Sequence, residues 1–357
     1  MALKRIGVLT GGGDAPGLNA VIRAVVRTTE KVYEVETIGI LDGFSGLLER
    51  RYRHLHSDQV RNLISEGGTV LGTTNRDNPF AYPGEGGPVD RSAEVVENAR
   101  RAEMDALIVI GGDGTLAIAS QLGALGMNVI GVPKTIDNDL ASTDYTFGFW
   151  TAIGVATDAL DRLRDTAESH HRAMVLEVMG RTAGWIALHS GVAGAADVIL
   201  IPEIPYSPDA VAEAVRGCQD RGKISSVIVV AEGAAPRGGE PAVRARDPVT
   251  GFARLGGAGE RLERELEQRL SCEVRVTVLG HVQRGGSPVP YDRVLATRFG
   301  ERAVHLAMEG RFGRMVRLSG ERIEDCPLEE AIHATKRVDP QDSLVKTARS
   351  LGILFGD

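Results

Sequence analysis

Two short stretches rich in glycine and aspartate lie close together in the chain: Gly111-Gly112-Asp113-Gly114-Thr115 and Pro133-Lys134-Thr135-Ile136-Asp137-Asn138-Asp139. Each comes directly after an apolar run. The run before the first, Ala106 to Ile110, is short and rich in β-branched residues, the pattern of a strand covered on both faces. Glycines at 111, 112 and 114 let the backbone turn sharply and bring its N–H groups close to a polyphosphate. A helix beginning near Thr115 aims its positive end at the same anion. Asp113, the only carboxylate in the turn, is placed to hold Mg2+, which takes a few carboxylate oxygens together with phosphate and water. The purely structural alternative is a tight strand-to-helix turn capped by an aspartate.

The second stretch follows another apolar run, Met127 to Val132, and delivers Thr135, Asp137 and Asp139 at alternate positions. In an extended segment those three side chains point the same way. One carboxylate can then take the proton of an attacking hydroxyl while another sits near the metal, the division of labour that phosphoryl transfer requires. Alone, a solvated acidic loop is the better reading. Beside the first turn it is not.

The elements that must carry these turns alternate regularly. Strands are expected at Arg5 to Thr10, Val35 to Leu41, Met174 to Val178, Asp197 to Pro202, Ser226 to Val230 and Glu273 to Leu279, besides the two runs above. Helices are expected at Leu18 to Thr29, Gln59 to Ser65, Val89 to Met104, Phe149 to Arg164, Ala183 to Val192, Pro208 to Arg221, Gly259 to Leu270 and Pro290 to Met308. A polar turn, Asp165 to His170, closes the fourth of these, and a polar section ends the chain. Gly233 to Gly257 lacks periodicity and reads as a surface loop or flexible hairpin. This alternation implies an α/β fold with parallel sheets covered on both faces, whose ligands collect at the carboxyl ends of the strands.

Composition narrows the partners. At 357 residues the chain can form two domains or two intimate halves, and its 44 glycines fit many strand-to-helix turns. A net charge of -7 argues against nucleic acid, so any anion site must be local. No apolar run approaches membrane-spanning length, and the start, from Met1 into the strand at Ile6, shows no signal pattern. Cys218, Cys272 and Cys326 read as incidental thiols in a reducing compartment, so a cytoplasmic protein is expected. His170 and His171 diverge on either a helix or a strand and have no ligand partner at suitable spacing, which argues against a metal there.

The chain closely resembles the 6-phosphofructokinases. The matching segments are Gly12-Gly13-Asp14-Ala15-Pro16-Gly17-Leu18-Asn19-Ala20, the two turns above, Glu177-Val178-Met179-Gly180-Arg181 and Val278-Leu279-Gly280-His281-Val282-Gln283-Arg284-Gly285-Gly286. The resemblance implies two Rossmann-like domains that exchange segments, with the active site in the cleft. The expected division is 1–148 plus 284–333 for the larger nucleotide-binding domain and 149–283 plus 334–357 for the smaller sugar-phosphate domain. It also implies a homotetramer and Mg2+-dependent phosphorylation of fructose 6-phosphate on its 1-hydroxyl, with ATP as donor.

By similarity, Asp137 is the base, with Thr135 beside it, and Arg181 clamps the transferring group. Gly13, Arg76, Gly112, Asp113, Gly114 and Thr115 take the nucleotide and its metal. Met179, Gly180, Glu232, His281 and Arg284 bind the sugar phosphate, and Arg172 and Arg275 reach the 6-phosphate from a neighbouring subunit. An Arg fork matches phosphate oxygens better than a Lys point charge. Arg23, Arg27 and Arg164 match positions that bind nucleotide effectors in regulated members. Asp197, however, stands where those members often have Glu, and the segment around Arg53 aligns poorly.

Two positions bear on the donor and point in opposite directions. Pyrophosphate-type enzymes usually carry Asp where this chain has Gly114, and a carboxylate there would repel the α-phosphate of ATP. Lys134, in contrast, is typical of pyrophosphate users. Gly114 weighs more, because a missing side chain permits ATP whereas an added lysine need not prevent it. The rivals are a pyrophosphate-dependent phosphotransferase, an NAD or lipid kinase sharing the Gly-Gly-Asp-Gly turn, and a non-catalytic regulatory subunit.

Overall fold

Apolar, β-branched runs become the strands, and they come in chain order as β1 (Arg5–Thr10), β2 (Glu36–Ile40), β3 (Tyr52–Leu55), β4 (Ala106–Gly111), β5 (Val129–Pro133), β6 (Ala173–Val178), β7 (Val198–Leu200), β8 (Ser226–Ala231), β9 (Val243–Arg246), β10 (Ala253–Leu255), β11 (Val274–Val278), β12 (Arg314–Ser319) and β13 (Arg322–Pro327). The computed structural model describes residues 3–246 and 253–357. These fall into two compact units. One takes the chain up to Ile136 with Leu140–Thr151 and Arg284–Thr335; the other takes Asp137–Asp139, Ala152–Gln283 and Lys336–Asp357.

The first unit holds a seven-stranded sheet in the order β13-β12-β5-β4-β1-β2-β3. Its five inner strands run parallel, and β3 and β13 close the two ends antiparallel. The order reverses direction between β1 and β4, which makes their carboxyl ends the switch point where such sheets bind ligands. Every residue of β4 is buried, because helices cover both faces. On one face Leu18, Ile22 and Phe299 pack over Ile108 and Val132. On the other, Phe44, Leu47 and Leu116 pack over Val109 and Val129.

The second unit holds a fully parallel sheet, β11-β6-β8-β7. Its core joins Val175, Val230 and Leu262 around the fully buried Tyr206.

The α/β class with parallel-rich sheets stands, but several local expectations need correction. Phe149–His170 is one unbroken helix, with no turn at Asp165. The segment 165–170 contains neither Gly nor Pro, so polarity there marks a solvated face and not an end. Gln59 to Ser65 forms only a tight turn at Leu63–Ser65. The polar C-terminal section hides the antiparallel pair β12 and β13, of which β12 buries Met315, Val316 and Leu318 while the edge strand β13 buries only Cys326. Within the segment from Gly233 to Gly257, β9 and β10 form an antiparallel hairpin, and 247–252 lie outside the described residues.

Candidate active site

In the first unit, β1 and β4 pair in register up to Thr10 and Ile110, so the turns Gly11–Gly13 and Gly111–Asp113 leave the sheet side by side. Backbone bonds lace them together. Gly11 N–H donates to the Ile110 carbonyl (2.9 Å), and Lys134 N–H, from the end of β5, donates to the Gly111 carbonyl (2.9 Å). A Cβ on Gly111 would lie 2.4 Å from Thr115 Cβ, and one on Gly11 would lie 2.6 Å from Thr115 Cγ2. Thr115 is accordingly buried, its side chain wedged between the two strand ends.

The helix carrying Thr115 begins two residues earlier than expected, spanning Asp113–Ala124, with Gly112 at its cap position and no side-chain cap. The Gly114 N–H donates to the Asp113 carboxylate (2.7 Å), and N–H groups at such an end that have no side-chain cap are donors for an anion. Asp113 and Gly114 are both exposed there, and no atom lies within 4 Å of where a Cβ on Gly114 would stand. Among the described residues no three His, Cys, Asp or Glu side chains gather into a metal cage. A single exposed carboxylate fits Mg2+, which keeps waters and takes phosphate oxygens in place of further protein ligands.

Two cations flank the Gly11–Gly13 turn. Lys134 is 4% exposed, and its ammonium donates to the Gly13 carbonyl. Arg284 lies so close that its Nη1 would be 1.6 Å from a Cβ on Gly13, and its Nε is buried without a hydrogen-bond partner among the described residues. A guanidinium left partly unsatisfied beside a glycine turn favours an anion that completes its bonds. Arg76 is exposed, on the loop whose Thr74 carbonyl accepts from Gly12 N–H (2.9 Å).

The Thr135 to Asp139 segment alternates as expected in burial. Ile136 and Asn138 are buried, whereas Thr135, Asp137 and Asp139 are only partly so. The backbone is not extended throughout, because Asn138 takes a left-handed φ of 52°. Thr135 falls in the first unit and Asp137–Asp139 in the second, where the Asp139 carbonyl accepts from Lys336 N–H (2.7 Å).

In the second unit, Val178 pairs with Ala231 and Glu177 with Val278, so the turns after β6, β8 and β11 emerge at one end of the sheet. These turns carry Met179, Gly180 and Arg181, then Glu232, then His281. Glu232 N–H donates to the Val178 carbonyl (2.9 Å) and Gly233 N–H to that of Gly180 (3.1 Å). Arg172, just before β6, and Arg275, on β11, lie away from that end and both pair with Glu273.

Gln283 received no role from the sequence, yet it is fully buried and joins two of these turns. It accepts from Met179 N–H (3.3 Å) and donates to the Gly280 carbonyl (3.1 Å). Its loss would remove the partners of two partly buried backbone groups, at about 0.5–1.5 kcal/mol each. The signal available in the sequence was a lone amide in a glycine-rich motif. Arg164 and Asp197, considered for effector binding, have local partners. Arg164 donates to the Gly194 and Ala195 carbonyls, and Asp197 accepts from Lys223 (2.5 Å) and Val227 N–H (2.9 Å).

A family model described as Phosphofructokinase matches residues 5–307. The ATP-dependent 6-phosphofructokinase 2 of Clostridium perfringens is 51% identical over 366 residues, which is 99% of this chain and 99% of that one. The pyrophosphate–fructose 6-phosphate 1-phosphotransferase of Amycolatopsis methanolica is 52% identical over 338 residues, 94% of this chain and 97% of that one. Among solved structures, phosphofructokinase from Saccharomyces cerevisiae aligns with a TM-score of 0.78 at 32% identity. That alignment takes in 92% of this chain and 45% of the yeast chain.

Proposed function

We propose that this chain, which belongs to the phosphofructokinase family, transfers the γ-phosphoryl group of ATP to the 1-hydroxyl of fructose 6-phosphate. The observation that carries the donor is the open space at Gly114, where an ATP α-phosphate meets no side chain. Gly13, Gly112, Gly114 and the Thr115 backbone cradle the phosphates, with Arg76 beside the nucleotide. Asp113 would hold Mg2+, which would supply positive charge to offset that of the phosphates.

Asp137 takes the proton of the sugar's 1-hydroxyl, with Thr135 aligning that hydroxyl, and a positioned carboxylate suffices because the alcohol becomes nucleophilic as its proton leaves. Arg181 steadies the transferring group as negative charge shifts toward the leaving phosphate. Met179, Gly180, Glu232, His281 and Arg284 hold the sugar phosphate. Arg172 and Arg275 complete a neighbouring subunit's site in a homotetramer. The three cysteines, none in a disulfide, suit a cytoplasmic enzyme.

Pyrophosphate is the second reading. It is favoured by the buried Lys134 at the Gly13 carbonyl, a cation placed to neutralise a small leaving phosphate, and by the similarity to the Amycolatopsis enzyme. Initial rates with fructose 6-phosphate and Mg2+, given ATP and pyrophosphate in parallel, separate the two. ATP is expected to give the higher kcat/KM, and a pyrophosphate preference would overturn the weight placed on Gly114. Phosphorylation of NAD or a lipid, with fructose 6-phosphate inert, would overturn the whole reading.

A further inference from the structure

Asp77 is a carboxylate with only 5% of its surface exposed, set between the exposed Arg76 and the exposed Asn78. A lone acid in a surface loop normally points to water. This one turns inward onto the start of helix Phe44–Glu49, where its Oδ2 accepts from Ser45 N–H (3.1 Å) and the carboxylate also accepts from Phe44 N–H. Space for it exists because residue 43 is glycine. A Cβ there would be 2.5 Å from Oδ2, and the local φ of 68° suits no other residue well. Burial pushes the Asp77 carboxyl up to about 6, so the contact is made against a desolvation cost.

The other end of the same loop is tied to the Gly11–Gly13 turn. The Thr73 hydroxyl donates to the Gly12 carbonyl (2.7 Å), Gly12 N–H donates to the Thr74 carbonyl (2.9 Å), and the Thr10 hydroxyl donates to the Gly72 carbonyl (2.6 Å). Only Asn75 and Arg76 lie between the two anchors. The backbone at Arg76 is therefore held on both sides, one side by the turn that receives phosphate and the other by Asp77.

We infer that Asp77 is a positioning residue for the phosphoryl donor, acting through Arg76 by pinning the distal end of the loop that carries it. This rests on the proposed role of Arg76 and the Gly11–Gly13 turn in binding ATP. Asp77 acts through a loop tied to the turn that receives the donor, so its loss should change ATP binding and leave fructose 6-phosphate binding alone.

The test measures KM for ATP at saturating fructose 6-phosphate, KM for fructose 6-phosphate at saturating ATP, and kcat. The proteins are the wild type, Asp77→Ala, Asp77→Asn, Arg76→Ala and the double variant. Loss of the anchor is expected to raise KM for ATP about tenfold in Asp77→Ala, equivalent to about 1.4 kcal/mol. KM for fructose 6-phosphate and kcat should stay within about twofold. Asp77→Asn keeps an acceptor oxygen and should lie between, which preserves the test if Asp77→Ala does not fold.

The double variant should bind ATP no worse than Arg76→Ala, because both changes act on one contact. An unchanged KM for ATP in a folded Asp77→Ala protein, an equal rise in both KM values, or additive effects in the double variant would each overturn the inference. If Arg76→Ala itself left KM for ATP unchanged, the proposed role of Arg76 would fail and the inference with it. A defect in Asp77→Ala that is already present in Arg76→Ala supports both.

Discussion

Replacing Gly114 by Asp tests the donor assignment with little risk to the fold. Residue 114 is the second residue of helix Asp113–Ala124, it is exposed, and no atom stands within 4 Å of a new Cβ. An Asp in a helix's first turn is favourable by about 0.3–1 kcal/mol, which roughly balances repulsion from the neighbouring Asp113. The melting temperature should therefore hardly move. If the ATP α-phosphate lies against this residue, a carboxylate at about 4 Å from its charge costs about 1 kcal/mol under full solvent screening and about 4 kcal/mol at an effective dielectric of 20.

Those limits correspond to about a sixfold and a thousandfold rise in KM for ATP, since about 1.4 kcal/mol is tenfold. Pyrophosphate has no nucleoside-bearing α-phosphate, so any rate with pyrophosphate should be spared. The assay is a set of initial-rate curves for each donor at saturating fructose 6-phosphate, paired with a thermal melt. A KM for ATP within twofold of the wild type, with an unchanged melt, would refute the placement of the α-phosphate at Gly114.

Three further outcomes follow from the structure. Asp137→Asn should lower kcat by about 10^2–10^4, the usual worth of a positioned base, while fructose 6-phosphate binding measured by calorimetry changes little. Full turnover by this variant would exclude Asp137 as the base. Asp292, fully buried and accepting from Thr151 N–H (2.8 Å) and the Thr151 hydroxyl (2.6 Å), is raised by burial from 3.8 to about 6. A carboxyl raised on folding contributes its stability at low pH and loses it as pH climbs through 3.8 to about 6. Asp292→Asn should therefore gain stability relative to the wild type by about 1 kcal/mol more at pH 8 than at pH 5, read from denaturant curves. A difference that is flat or reversed with pH would contradict the burial argument. Gln283→Leu should weaken fructose 6-phosphate binding more than ATP binding, because its two bonds join Met179 and Gly280 on the sugar-phosphate side. Equal losses for both substrates, measured as KM values, would argue for a general packing role.

Much of this protein is legible in local chemistry. A glycine's lack of a Cβ, a β-branched run between turns and an acid at a fixed offset from an apolar strand are properties of a few adjacent residues, so the amino-acid sequence alone marks the Gly11 and Gly111 turns and the strands β1, β2, β4 and β5 of one sheet and β6, β7, β8 and β11 of the other. The α/β class follows from the order of those elements, because parallel pairing requires crossovers that bury both faces of a sheet. The hairpin of β12 and β13 is hidden from such reading, since β13 is a half-solvated edge strand and the charged Arg314 and Arg317 interrupt the apolar run of β12.

Long-range contacts decided the rest. Thr115 has the residue type and position of a ligand contact, but its side chain fills the gap between Gly11 and Gly111, strand ends 100 positions apart in sequence. Arg164 finds its carbonyls at Gly194 and Ala195, Gln283 its partner at Met179, and Asp77 its helix at Ser45. A polar side chain's residue type states that it needs a partner, but only the packed fold determines which distant backbone group supplies it.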